Sequence, residues 1–292
     1  MRLSLLIILL LVSITGKSQS SYSGHLGTFP ITLILHHQSD GDGILKAYYV
    51  YDTYDNTITI NGNLKNKELT LFEKDNVENI TATLAFENFN KNDKEIRGKW
   101  ISADSKKAYP ILLQKDFDIS EGDDMSWEDK ELIQSKTTKE HYFKTVITKE
   151  QDDYYAKISR VKIFEKGTDR LIQTIKLDCQ LWGISNLNIG DFNFDGIQDF
   201  SVFEASYAGS NMSSIYILRD AHSEKYLKSN IRGSSLEFDN DLKVIYEYNQ
   251  CCAGRSRTEK AYKVVDNEMI LIERKCLEYN DDKEDYIEIK CE

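Results

Sequence analysis

Side-chain oxygens recur at every second residue in GDFNFDGIQDF, Gly190 to Phe200: Asp191, Asn193 and Asp195, followed by Asp199. On a strand this spacing puts like charges on one face, where they repel and weaken pairing. The same spacing suits a hard dication. Numbered from Asp191, oxygen donors fall at positions 1, 3 and 5, and Gly196 at 6 permits a sharp turn. Ile197 at 7 offers its main-chain carbonyl, and Asp199 at 9 completes an all-oxygen set of the kind Ca2+ takes. Phe192 and Phe194 alternate with these donors and face the opposite side, toward a core. Position 12 is Val202, not the bidentate glutamate of a helix–loop–helix calcium hand, and the flanks read as strands. The expectation is a structural calcium loop between strands. Magnesium, which keeps several waters and takes few protein ligands, suits the set less well.

Other side chains offer less. The five histidines, His25, His36, His37, His141 and His222, form no HExxH pair, and no GxSxG elbow, P-loop or GxGxxG occurs. The chain therefore reads as non-enzymatic. Two small-residue loops, YAGSNMSS (207–214) and QCCAGRSR (250–257), can present hydrogen bonds to a partner through Tyr207, Ser210, Asn211 and Arg255. Ordinary turn chemistry is the alternative for these residues. Trp127 and Trp182 could stack on sugars, although core packing suits Trp182 better.

The elements that must position these residues are β-strands. Residues 22–115 alternate apolar and polar residues in ITLIL, KAYYVY, TITI, ELTLF, TATLAF, IRGKW and YPILL, separated by turn-forming SDGDG, DN, NGN and NFNKND. The pattern predicts an antiparallel meander, closed as a small barrel or packed as a sandwich, over residues 21–115. Residues 116–138 read as an acidic linker with a helical turn near Ser126, where Ser-x-x-Asp resembles a cap. A second antiparallel β domain, carrying the calcium loop, follows over 139–292. The expected fold is all-β.

Charge and cysteine usage bound the partners and the compartment. Arg2, the apolar run Leu3 to Ile14, and the small residues Gly16, Ser18 and Ser20 make residues 1–20 a signal peptide, with no membrane span expected after its cleavage. The expected location is periplasmic or secreted. Removing residues 1–20 takes away Arg2 and Lys17 and leaves 35 basic against 48 acidic residues, a net charge of −13. Such a surface excludes nucleic acid as a natural partner and attracts basic proteins. All five cysteines, Cys179, Cys251, Cys252, Cys276 and Cys291, lie in the second half. Export permits disulfide bonds; Cys276 and Cys291 are candidates, and adjacent Cys251 and Cys252, pointing to opposite faces of a strand, are expected to seek separate partners.

IGDFNFDGIQDFSVFEASYAGSNMSSIYIL, followed by NQCCAGRSRTEKAYKVVDNEMILIER, resembles the C-terminal part of a family of exported calcium-binding proteins. Its best-known members are the periplasmic immunity proteins of xanthomonads, which inhibit lysozyme-like peptidoglycan hydrolases delivered by type IV secretion. The match covers roughly residues 180–275. It implies Asp191, Asn193, Asp195, Ile197 and Asp199 as Ca2+ ligands and a basic lysozyme-like or other peptidoglycan hydrolase as partner. The calcium loop is shared with integrin-type repeats, so a calcium-dependent surface or adhesion module binding glycan or protein is the alternative.

Overall fold

The structure, a computed structural model, describes residues 19–40, 44–51, 54–119, 126–153, 156–183, 185–208 and 210–291. Most of the expected signal peptide, residues 1–18, lies outside them, as do residues 120–125 of the expected linker and the side chain of Trp127. The chain is nearly all β, with antiparallel pairing throughout. Among the described residues no helix is long and apolar enough to cross a membrane.

Eight strands close the first barrel: β1 (Gln19–Leu26), β2 (Phe29–Asp40), β3 (Ile44–Tyr51), β4 (Tyr54–Lys65), β5 (Glu68–Lys74), β6 (Ile80–Phe86), β7 (Glu95–Ser102) and β8 (Ala108–Asp118). Of the two closures left open by the sequence, the barrel is the one formed, because β1 pairs with both β2 and β8. Its interior is filled by Tyr22, Leu33, Leu35, Tyr49, Leu69, Leu84, Phe86 and Leu113. Strand β1 was not among the expected ones. Its sequence, QSSYSGHL, has no apolar alternation, yet Gln19, Ser20 and Ser21 are buried. Hydroxyl-to-carboxylate bonds hold it instead: Ser20 Oγ donates to Asp118 at 3.1 Å, and Ser21 and Ser23 donate to Asp116 at 3.0 and 2.6 Å. The strand starts at Gln19, two residues inside the segment assigned to the signal peptide.

A second sheet, order β12-β11-β10-β9, contains β9 (Trp127–Ile133), β10 (His141–Lys149), β11 (Lys157–Glu165) and β12 (Leu171–Gln180). The helical turn expected near Ser126 is thus corrected to strand: β9 pairs with β10, and that pairing satisfies the backbone that a cap would have served. The barrel rests on this sheet. Ile34, Tyr48 and Val50 share a core with Phe143, Ile158 and Val161, and Tyr48 Oη donates to the Ile133 carbonyl at 2.6 Å.

The third sheet joins β13 (Leu187–Gly190), β14 (Asp199–Ser206), β15 (Met212–Arg219) and β16 (Tyr226–Lys228) in order. It is apolar on both faces. Phe200, Val202 and Ile217 pack toward the second sheet, with Phe143 and Phe200 rings 4.8 Å apart. Tyr216 and Leu218, one residue out of phase, pack with Phe192, Phe194 and Ile231 in a separate core. That core is covered by the fourth sheet: β17 (Leu236–Asp239), β18 (Val244–Cys251), β19 (Ser256–Val265), β20 (Glu268–Asn280) and β21 (Asp285–Ile289), in order. The disulfide Cys276–Cys291, one of the sequence candidates, ties β20 to the residues after β21.

Burying a large apolar side chain is worth about 1.5–3 kcal/mol, and a truncated core aromatic leaves a cavity as well. Phe200→Ala should therefore lower the free energy of unfolding by about 3–5 kcal/mol. Leu112→Ala, at a side chain 43% exposed, should change it by no more than about 0.5 kcal/mol. Urea titrations of the two variants beside the parent protein check both values.

A candidate cation loop and two loops at the far end of its sheet

The acidic segment forms the turn between β13 and β14, as its flanks implied. Its two phenylalanines are buried, and Phe192 stacks edge-on against Tyr216 at 4.9 Å and Phe238 at 4.8 Å. Gly190 is required by that packing: a Cβ there would meet the Phe192 ring at 2.8 Å. Gly196 is required by its conformation, φ +88°, since no atom within 4 Å would obstruct a Cβ.

The loop is wound around its own acids. Asp191 Oδ1 accepts from the Asp195 N–H at 3.0 Å, and Oδ2 accepts from the Gly196 N–H at 2.8 Å. Asp195 Oδ1 accepts from the Ile197 N–H at 2.8 Å. Asn193 turns its amide nitrogen outward, donating to Asp195 Oδ2 and to Asn267 Oδ1, both at 2.9 Å. Asp199 differs from the rest. It is fully buried, and its oxygens accept from the Phe192 N–H at 3.0 Å and the Arg219 N–H at 2.8 Å. Burial pushes its carboxyl up to about 7 against those two N–H bonds, with the charges of Asp195 and Asp191 adding to the rise.

The donor set is all oxygen: three carboxylates, the Asn193 amide and the Ile197 carbonyl. Ionised carboxylates that accept one N–H per oxygen keep lone pairs for a cation. Among the described residues no three His, Cys, Asp or Glu side chains gather in metal-holding range. A cation here would thus depend on the amide and carbonyl oxygens as well as the acids. The chemistry suits Ca2+, which takes six to eight oxygens in flexible geometry.

The residues expected to meet a partner divide into two groups. Tyr207 is 57% exposed. Asn211 and Ser210 instead join the two loops to each other. Asn211 accepts from the Gln250 N–H at 2.9 Å and donates to the Gln250 carbonyl at 2.7 Å, and Ser210 Oγ donates to Gln250 Oε1 at 3.3 Å. Beside them lies a groove of about 320 Å3, lined by Glu204, Tyr207, Asn211, Ser213, Arg232 and Asn249. Arg255 stands beyond the 3-10 turn Cys252–Gly254, where Asp281 takes its guanidinium in a two-pronged bond at 3.0 and 2.6 Å. Trp182 is 40% exposed and packs on Phe203 at 5.3 Å, so it is a surface aromatic and not a core one.

Sequence reasoning missed Gln250, which receives the Asn211 clamp, and Asn267, which receives Asn193. Asn267 sits in the β19–β20 turn with Asp266, both at positive φ, and an Asp-Asn pair between strands was the available turn signal. It also missed a cleft of about 900 Å3, lined in part by His141, Arg170 and Arg219. Acids there are paired with arginines, Glu140 with Arg219 at 2.6 Å and Glu165 with Arg170 at 3.0 Å. His141 shares a hydrogen bond with Tyr226 Oη at 3.0 Å, and burial lowers its pKa, with Arg219 adding to the effect. No family model and no curated protein matches the chain.

A side chain at Gly196 would have to adopt the left-handed region, at roughly 1–2 kcal/mol. Gly196→Ala should lower stability by about that amount, and Gly167→Ala, another positive-φ position with open space around it, supplies a control remote from the acidic loop. Equal losses in both variants, with and without divalent cation, would mean that the loop has no special demand for its turn.

Proposed function

We propose that this chain is an exported, calcium-stabilised binding protein that inhibits a lysozyme-like peptidoglycan hydrolase. One observation carries the reading: β14 begins at Asp199, the last residue of the acidic loop, and leads directly into the exposed loop that starts at Tyr207. A cation held by Asp191, Asn193, Asp195, Ile197 and Asp199 would neutralise repelling carboxylates and set the start of this strand. The other end of the strand presents Tyr207, and the Asn211–Gln250 clamp holds the presenting loop in place. A loop tied down by such bonds has less entropy to lose on entering a cleft. The acidic surface adds steering: a basic hydrolase would be attracted over a Debye length of about 10 Å at 0.1 M salt. The resemblance of residues 180–275 to periplasmic immunity proteins supports the same partner class.

A second reading is a calcium-dependent adhesion module. Exposed Trp182, in tilted contact with Phe203 behind it, supports it, because an exposed ring backed by a second ring offers a stacking platform for sugar.

Calcium at millimolar concentration should raise the melting temperature, and EDTA or Asp195→Ala should abolish the rise. A ligand that binds only the folded state stabilises it by about 2.7 kcal/mol at one hundred times its dissociation constant. Identical melting curves in calcium and EDTA would remove the cation from the account.

The inhibitory reading is tested by turbidity loss of peptidoglycan suspensions with hydrolases encoded beside the gene. The parent protein should slow lysis, and Tyr207→Ala should weaken inhibition by about 30-fold, as expected for an aromatic anchor worth about 2 kcal/mol. Unchanged lysis together with retention on glycan arrays would favour the adhesion module.

A further inference from the structure

Cysteine pairing is fully accounted for in this chain, because all five cysteines are described. Cys276 and Cys291 form the disulfide, with Cα atoms 5.3 Å apart. Cys179 is 2% exposed and belongs to the core between the second and third sheets, where burial pushes its thiol up to about 12. Cys251 and Cys252 are exposed and adjacent. One cysteine is sealed in a core and Cys276 and Cys291 are joined to each other, so neither Cys251 nor Cys252 has a separate partner within the chain, and the other accessible cysteine for each is its neighbour.

The local backbone departs from a regular strand at the two cysteines. Cys251 ends β18 in extended conformation, φ −131° and ψ 166°, and Cys252 reverses to φ +58°, followed by Ala253 at +55°. Two residues on a continuing strand would point to opposite faces; the reversal at Cys252 cancels that alternation. Both are free thiols.

We propose that Cys251–Cys252 is a vicinal dithiol site that reacts with disulfides and closes into an eight-membered ring. One thiolate attacks an incoming disulfide, forming a mixed disulfide and expelling the first thiolate. The neighbouring thiolate attacks the protein-side sulfur of that bond, forming Cys251–Cys252 and expelling the second. The two cysteine protons end on the two departing thiols, so the incoming disulfide is reduced to two thiols as the pair is oxidised. Neighbouring Cα atoms lie about 3.8 Å apart across a trans peptide, below the usual span of about 4.4–6.8 Å for a disulfide. The ring is consequently strained and easily reduced, unlike Cys276–Cys291. The site is placed to act on recognition: Gln250, the residue before the pair, is the one clamped by Asn211.

The test uses the folded full chain with Cys251 and Cys252 reduced by mild glutathione. Oxidised glutathione should yield a monomer lighter by two hydrogens. The peptide holding both cysteines should resist maleimide, and its ring should reopen under glutathione that leaves Cys276–Cys291 intact. Cys251→Ser and Cys252→Ser should each instead retain one glutathione or dimerise. Phenylarsine oxide, which bridges adjacent thiols, should bind the reduced protein one-to-one and block both from maleimide, and each single variant should lose that protection. Two glutathiones on the parent protein, covalent dimers of it, or independent maleimide reaction of both thiols despite the arsenical would overturn the proposal. None of these readouts depends on the cation loop or on a hydrolase.

Discussion

The Asp199 carboxylate is the constraint on which the second half of the molecule is arranged. It is buried at the first residue of β14 and bonded to main-chain N–H groups of Phe192 and Arg219. One oxygen closes the acidic turn and the other fastens the end of β15. A carboxylate removed from water is costly unless its charge is met, and two neutral N–H donors meet only part of it. A proton or a cation must supply the rest.

The same turn decides how the outer two sheets meet. Phe192 donates its N–H to Asp199 and packs its ring against Tyr216 and Phe238. Phe194 adopts φ +63°, and Lys243 reaches its carbonyl at 3.2 Å from the turn before β18. Asn193 bonds to Asn267 at the tip of β19–β20. One short loop therefore touches the third sheet, the start of β18 and the far end of the longest hairpin. Fixing the loop fixes the seating of the fourth sheet, and with it the position of Gln250 at the other end of β18.

What was legible in the sequence was what is encoded locally. The acidic loop declares itself within nine residues, because donors and aromatics alternate and Gly196 marks the reversal. The barrel strands from ITLIL to YPILL alternate because one face fills the interior. Strand β10, HYFKTVITK, was missed for the opposite reason: it is buried on both faces and shows no alternation. MILIER is an apolar run, yet Ile270, Leu271 and Ile272 are each 50% exposed, since pattern alone does not say which face another sheet will cover. The bond of Asn211 to Gln250, 39 residues away, is not legible in the sequence, because nothing local marks so distant a partner.

Tyr207 and Asn211 show how neighbours in one loop come to different tasks. Asn211 uses both ends of its amide on the Gln250 main chain, so it has little left to offer a ligand. Tyr207 is anchored through its own N–H to the Asn211 carbonyl at 2.9 Å, while its ring stays exposed. A rigid backbone beneath an exposed aromatic is the combination that binding favours, because the ring brings apolar area at small entropic cost. Rigidity here comes from two sources that act at opposite ends of the same sheet: the acidic turn at the start of β14, and the amide clamp beyond its end.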